Sequence, residues 1–320
     1  MAHCSLLISI IYSETGGSGA DSSTSTSQGS IYDRCRMALA DLGPTVSIYS
    51  IKDCIIGQPI GSGASMQVFE GTCIIAGTVT KVAFKRPHIV MDEKMRKKNF
   101  VRLTSVIKRE LTIMEQLKSS SNIVNIYGLA FAGLTPVLIV ELAQYSLDHY
   151  LSSAYQRGCP ISWTEKIQLC CDICEGLLAL HGAGVVHGDI KASNVLVFIK
   201  DDGTSTAKIS DFGFSSTFLS EGDSGGGTLA FAAPECTRLG LAKYPGLLRW
   251  HRDKLQDVYS YGLTLWQIAM DGAVPFNGLS HSDIEIAKAE DSELNRLRSR
   301  LPSDMPPVLR YSIEVTTKHY

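Results

Sequence analysis

Past Ser47 the chain passes from one apolar texture to another, and that change limits its fold more than any single residue does. From Asp53 to Lys85, runs of Ile, Val and Phe alternate with turn residues. Beyond Leu147 the apolar residues recur at helical spacing instead. The first part predicts three consecutive antiparallel strands, Asp53–Ile60, Gln67–Ile75 and Val79–Lys85, with Ala76-Gly77 as a hairpin turn. A long helix follows, whose apolar face carries Leu103, Val106, Ile107, Met114 and Leu117. Val137–Leu142 reads as a buried strand. Helices are expected near 146–157 and 163–182 and at Asp257–Met270, with a charged surface helix at 283–300. A β-rich part followed by an α-rich part predicts an α+β chain in two lobes with a cleft between them.

Composition narrows the function classes. The 30 Lys plus Arg nearly balance the 32 Asp plus Glu, which gives no support for a broadly basic nucleic-acid binder. No apolar run approaches the roughly 20 residues that span a bilayer, so no transmembrane segment is expected. The apolar run Leu6–Tyr12 is short and has no Lys or Arg before it, so it reads as an untargeted terminus. Nine cysteines without a regular framework suit free thiols in a reducing compartment, and a cytoplasmic location is expected. Residues 13–30 are nearly all Ser, Thr and Gly and cannot bury enough apolar surface to offset their ordering entropy. Residues 1–49 are therefore expected to be poorly ordered, and residues 50–320 to form the folded domain.

Several short polar groupings stand out against this frame. Gly61-Ser62-Gly63 lies between two strands, where glycines free backbone N–H groups to approach phosphate oxygens; a hairpin turn uses glycine as readily. Lys85 ends an apolar strand, as a surface cap or as a cation facing the cleft. Glu110 falls on the apolar face of the long helix, where a carboxylate is costly unless paired. His187-Gly188-Asp189-Ile190-Lys191-Ala192-Ser193-Asn194 is a dense polar loop between apolar segments. Asp211-Phe212-Gly213 follows a short strand, Ala207–Ser210. Asp211 with Asn194 offers two oxygen ligands suited to a hard cation such as Mg2+, although either one alone reads as a turn former.

Taken in order, the glycine loop, Val82-Ala83-Phe84-Lys85, Glu110, His-x-Asp-x-Lys-x-x-Asn, Asp-Phe-Gly and Ala233-Pro234-Glu235 resemble the protein kinase family. Asp257-Val258-Tyr259-Ser260-Tyr261-Gly262 is similar to that family's Asp at the start of a buried helix. The likeness covers roughly residues 50–315. It implies a bilobal fold, with a β-sheet N-lobe over 50–143 and a helical C-lobe over 144–320, and ATP and Mg2+ bound between them.

By the same resemblance, Gly61 and Gly63 would cover the phosphates. Ile60, Val68, Ala83 and Leu196 would sandwich the adenine behind a gatekeeper Val140, and the backbone of Glu141 and Ala143 would bond its edge. Lys85, oriented by Glu110, would hold phosphates, and Asn194 and Asp211 would bind Mg2+. Asp189 would accept the substrate's proton while Lys191 neutralises charge on the γ-phosphate. Lys191 and Thr228 look like those of serine/threonine kinases. The Asp257 string and Ile123–Gly128 look like the tyrosine-kinase-like group. Protein substrates are the implied partners, and the oligomeric state stays open.

Three departures from the family pattern carry expectations. Met66 stands at the usual third glycine and would crowd the phosphates. Gly188 replaces the Arg that pairs with a phosphorylated activation loop, so Ser215, Ser216, Thr217, Ser220 and Ser224 are expected to lack that partner, in a loop made mobile by Gly225–Gly227. The closing helix is expected to be missing after Leu309–Lys318, which would leave Glu235 without its usual Arg unless Arg296, Arg298, Arg300 or Arg310 serves. The apolar faces of Asp257–Met270 and Leu309–Val315 would then be partly bare. Two rival readings are an inactive pseudokinase scaffold and, from His187-Gly188-Asp189, an aminoglycoside or choline phosphotransferase. The thiols Cys170, Cys171 and Cys174 read as core or surface residues of a helix, and Lys94–Lys98 as a solvated helix start.

Overall fold

The computed structural model describes residues 46–63, 66–88, 97–133, 135–217, 228–237, 239, 249–290 and 292–317. Its N-terminal part is a five-stranded antiparallel sheet: β1 (Cys54–Ser62), β2 (Met66–Ile75), β3 (Thr78–Pro87), β4 (Ile126–Ala132) and β5 (Thr135–Glu141). They lie in the order β1-β2-β3-β5-β4. Ala76 and Gly77 both take positive φ, 49° and 79°, which is the conformation that joins two twisted strands through a two-residue turn.

The sheet is covered on both faces, and the period-two alternation of β3 distributes its residues between them. Val82 and Phe84 pack outward with Cys73, Val137 and Ile139, beneath Tyr49 and Ile51. Ala83 packs inward with Leu138, Val140 and residues of α1 (Lys97–Gln116), and Lys85, two residues on, shares that face. On α1, Ile107 and Met114 are buried, as is Leu117 just past its end, Val106 is half-buried, and the side chain of Leu103 lies outside the described ones. Leu111 and Ile113 complete the buried stripe.

Residues 46–49, expected within the poorly ordered leader, join the sheet instead. Ile48 bridges Leu129 in parallel, with Tyr49 N–H donating to the Leu129 carbonyl at 2.7 Å. Gly128 makes room for them, because a Cβ there would stand 2.1 Å from the Ser47 carbonyl. Residues 1–45 lie outside the described ones.

After the irregular stretch Leu142–Gln144 the chain becomes mainly helical. A short strand β6 (Tyr145–Ser146) leads into α2 (Leu147–Gln156) and α3 (Trp163–Gly182), the latter capped by Ser162 accepting from Glu165 N–H. Between α3 and the last helices lie β7 (Val185–Val186), β8 (Val195–Ile199), β9 (Ser205–Ile209) and β10 (Ser216–Thr217). They form two small sheets, β6-β8-β9 and β10-β7. Then come α4 (Arg249–Ala269), α5 (His281–Ala289), α6 (Ser292–Ser299) and α7 (Pro307–Thr316).

Four expectations about the helical part change. The helix expected from Asp257 begins at Arg249, because its first two turns are too polar to show apolar periodicity. Asp257 is therefore inside a helix, not at its start. The single surface helix at 283–300 is two helices. Ser280 opens α5 with a capping box to Asp283, and Ile284, Ala287, Lys288, Leu294 and Leu297 are buried. The face of α4 is not bare: Leu263, Leu265, Trp266 and Ile268 are buried, and Leu309 and Ile313 of α7 are buried too. Gly262 permits this close approach, since a Cβ would meet Thr316 Oγ1 at 2.3 Å. Val308 and Tyr311 of α7 remain exposed.

Candidate active site

The polar residues singled out above converge where the two lobes meet. Lys85, on the inward face of β3, forms an ion pair with Glu110 Oε1 of α1 and lies 3.5 Å from Asp211 Oδ1. Glu110 is 1% exposed, so a carboxylate on the helix's buried stripe has found its cation. Burial alone would drive the Lys85 ammonium to lose its proton, but the charges of Glu110 and Asp211 outweigh it and hold its pKa above the ordinary lysine value. The Lys85 charge in turn holds the Asp211 carboxyl below the usual carboxylate range, against the opposing effect of burial. Asp211 sits at φ 64°, in the left-handed region, at the entry to the short 3-10 turn Phe212–Phe214. Phe212 is fully buried and packs edge-on to the His187 ring, 5.4 Å between centroids.

The polar loop is held by its own backbone and by α4. Asp257, wholly buried, accepts from the N–H groups of His187 at 2.8 Å and Gly188 at 2.9 Å, and its Oδ2 lies 2.9 Å from His181 Nε2. Gly188 takes φ 79°, and its carbonyl accepts from Gln256 Nε2 at 3.1 Å. Within the loop, Asn194 Nδ2 donates to both the Asp189 carbonyl and Oδ2, at 2.8 and 2.9 Å. Lys191 Nζ lies 2.8 Å from Asp189 Oδ2 and 2.5 Å from Thr228 Oγ1. The Thr228 N–H closes the set by donating to Asp189 Oδ1 at 2.8 Å. The side chain of Asp189, a residue 3% exposed, thus accepts from Asn194, Lys191 and Thr228.

The roof of this cleft is β1–β2. Gly61 pairs with Val68, Val68 with Lys85, and Ala83 with Val140. Val68 and Leu196 pack against the core cluster that contains Ala83 and Val140, whereas Ile60 is half exposed. Gly63 N–H donates to the Met66 carbonyl at 2.8 Å, and His88 Nε2 lies 2.9 Å from the Gly63 carbonyl. A Cβ on Gly63 would stand 3.9 Å from Asp211 Oδ2, so the glycine loop reaches over that carboxylate. Met66 does not crowd the loop as expected; its side chain is buried in the core, 4% exposed. Glu141 ends β5 with its side chain paired to Lys208 at 2.8 Å, and Ala143 is half-buried in the stretch that follows.

Among the residues expected to accept regulatory phosphate, Ser215 is fully buried and donates to the His187 carbonyl at 3.2 Å, so it is not a surface acceptor. Ser220, Ser224 and Gly225–Gly227 lie outside the described residues, as do Lys94–Arg96. Two cations escaped the sequence reading. Arg109, beside Glu110 on α1, donates to the Ser215 carbonyl at 3.1 Å. Lys288 of α5 is fully buried, donates to the Ala232 carbonyl, and feels the charge of Glu235. The arginines expected to serve Glu235 are engaged elsewhere in two cases. Arg298 bonds Thr317, and Arg310 bonds the Pro302 carbonyl. Cys170, Cys171 and Cys174 are free thiols on α3.

A buried Lys–Glu pair, an acid beside it, and an Asp–Lys–Asn loop facing a glycine turn form an arrangement of the kind that phosphoryl-transfer sites use. The protein tyrosine and serine/threonine kinase family matches residues 54–317, and the chain belongs to that family. It is 28% identical over 86% of its length to the dual specificity protein kinase shkE of Dictyostelium discoideum. It is 38% identical over 44% of its length to a dual serine/threonine and tyrosine protein kinase of Apis mellifera, and 27% identical over 82% to a serine/threonine/tyrosine-protein kinase of Arabidopsis thaliana. The matched segments are 35%, 13% and 61% of those three proteins. Among the described residues no helix is long and apolar enough to cross a membrane.

Proposed function

We propose that the chain is an active protein kinase that transfers the γ-phosphate of ATP to serine or threonine hydroxyls of protein substrates. The observation that carries this reading is the docking of Thr228 onto Asp189 and Lys191, which sets a threonine directly against the loop's carboxylate. Asp189 orients the incoming hydroxyl and accepts its proton as the oxygen–phosphorus bond forms and the bond to the departing ADP oxygen breaks. Lys191 offsets the charge on the transferred group. Lys85, held by Glu110, positions the phosphates, and Gly61 and Gly63 lie over them. Ile60, Val68, Ala83 and Leu196 enclose the base, and the backbone of Glu141 and Ala143 meets its edge. Catalysis of this kind is mainly positioning and electrostatics.

The donor set fits Mg2+: the Asp211 carboxylate, depressed in pKa, and the Asn194 side-chain oxygen are hard ligands, and such ions take their remaining ligands from water and phosphate. When bound, the ion neutralises phosphate charge; the chain's part is to hold Asp211 ionised through Lys85.

The test is transfer from Mg-ATP to a generic protein substrate, followed by identification of the phosphorylated residue. Lys85→Met and Asp211→Asn should each lower transfer at least a hundredfold while the chain stays folded. Unchanged transfer in both, ATP binding without transfer in the parent, or transfer only to an aminoglycoside or choline would overturn the reading. The names of the relatives make phosphotyrosine the informative alternative product.

A further inference from the structure

We propose that Cys54 and Cys73 form a reversible cross-strand disulfide that staples the open end of the β1–β2 hairpin. The two residues are directly opposed in the antiparallel register, and their sulfurs already lie 3.1 Å apart. Bond formation asks for about 1 Å of further approach, to the roughly 2.05 Å of a disulfide, between side chains that project from the same face. Cys73 is 1% exposed within the outer core of the sheet, while Cys54 is half-buried at its rim. Cys54 is therefore the sulfur an oxidant reaches, and Cys73 is the resolving thiol beside it. All the described cysteines are free thiols, and Cys54 and Cys73 are the pair among them whose sulfurs approach within hydrogen-bonding distance.

The chemistry balances with hydrogen peroxide as oxidant. The Cys54 sulfur attacks one peroxide oxygen, the O–O bond breaks, and water leaves, giving a sulfenic acid. The Cys73 sulfur then displaces the hydroxyl as a second water, and the S–S bond forms. Two thiols lose two electrons and two protons, and the peroxide is reduced to two waters. Burial, the Cys73 thiol and the neighbouring Asp53 charge push the Cys54 pKa up to about 12, so the thiolate is scarce and the step is slow near neutrality and faster in alkali.

The position gives the staple a consequence. The β1–β2 ladder runs in register from Cys54 to Ile56, then shifts twice before Gly61. The glycine loop is thus attached to the sheet through an irregular stretch whose far anchor is the Cys54–Cys73 pair. Closing that anchor restrains β1 in the unfolded chain and limits its fraying in the folded one.

The experiment oxidises the full chain with stoichiometric hydrogen peroxide. No Lys or Arg lies between Asp53 and Lys81, so trypsin leaves both cysteines in one peptide; cleavage after Glu70 separates them unless they are bridged. The expected result is a loss of two hydrogens from the Asp53–Lys81 peptide. The two Glu70 fragments should stay linked until dithiothreitol is added, and the melting temperature should rise by several degrees, reversibly. Cys54→Ser should abolish all three. Cys73→Val, which keeps the core filled, should leave Cys54 oxidised but unlinked. Oxidation that stops at sulfenic or sulfinic acid on Cys54 in the parent, or cross-links that involve Cys159 or Cys171 while Cys54 and Cys73 stay reduced, would overturn the proposal. None of these readouts depends on kinase activity.

Discussion

Replacing Lys288 by Met should change how stability depends on pH, and the size of the change follows from the burial of one amine. Lys288 is wholly enclosed between α5 and the Ala233-Pro234-Glu235 turn, with its Nζ on the Ala232 carbonyl and lying 5.0 and 5.2 Å from the Tyr259 and Phe276 ring centroids. Burial lowers its pKa from 10.5 to about 7, although the charges of Glu235 and Cys236 pull the other way. In the unfolded chain the amine titrates near its ordinary value. Between pH 7 and 10.5 the unfolded state therefore holds a proton that the folded state releases, and stability rises with pH across that window. Below pH 7 both states are protonated and the folded chain bears the full cost, about 5 kcal/mol. Between pH 7 and 9 the parent should gain about 2 kcal/mol from this one group.

Lys288→Met keeps most of the volume and the contact with both rings but cannot titrate. It also leaves the Ala232 carbonyl without its donor, a loss of about 1–3 kcal/mol. At pH 7 the relief of the buried charge outweighs that loss, and the variant should be at least as stable as the parent. Urea unfolding of both proteins at pH 6.5, 7, 8 and 9 gives the answer by difference, because the other titrating groups cancel. The parent should gain on the variant by about 2 kcal/mol from pH 7 to 9 and show no relative change below pH 6.5. Parallel pH profiles would refute the argument, since they would mean that Lys288 is solvated or fully paired in the folded chain.

Glu110→Gln removes the ion partner of Lys85 and should cost at least tenfold in phosphotransfer, with the parent's level not restored by raising ATP. Gly262→Ala places a Cβ 2.3 Å from Thr316 Oγ1 and should destabilise the chain by about 1–3 kcal/mol in urea, through the packing of α7 on α4. Ser215, with its hydroxyl buried on the His187 carbonyl, should be missing from a phosphosite map of the incubated protein even where neighbouring residues are modified.

The groups proposed as catalytic were conspicuous in the sequence because their chemistry leaves little choice of residue type and they fall in short strings. A carboxylate on an apolar helix stripe announced its need of a cation, and Lys85 supplies it. The strands β1 to β3 were legible because β-branched residues alternate there. Strand β4 was not, since Gly128, Ala130 and Ala132 weaken its signal, although it pairs with β5 along its length and is bridged by Ile48 on its other edge. The first turns of α4 and the break between α5 and α6 escaped for a related reason: apolar periodicity is blind to polar turns, and the capping box at Ser280 is a signal of polar residues alone.

The anchors of the segment from Ser215 to Glu235 were the least legible part, and the structure gives the reason. Gly188 stands in the polar loop where an arginine would otherwise offer a side-chain cation to the segment's first residues. Arg109 reaches their backbone from α1 instead, at Ser215. At the other end, Lys288 reaches Ala232 from α5, and Lys191 ties Thr228 to the loop itself. Each bond ends on a carbonyl or hydroxyl that a donor on any nearby element can satisfy. Phosphate transfer fixes residue type and spacing; anchoring fixes only that a donor arrives, so its source is free to move from one helix to another. Linear spacing alone therefore does not find the anchor: Arg298 and Arg310, two of the four arginines considered for Glu235, are engaged elsewhere, while the fully buried lysine that anchors Ala232 looks in the sequence like one more charge on a surface helix.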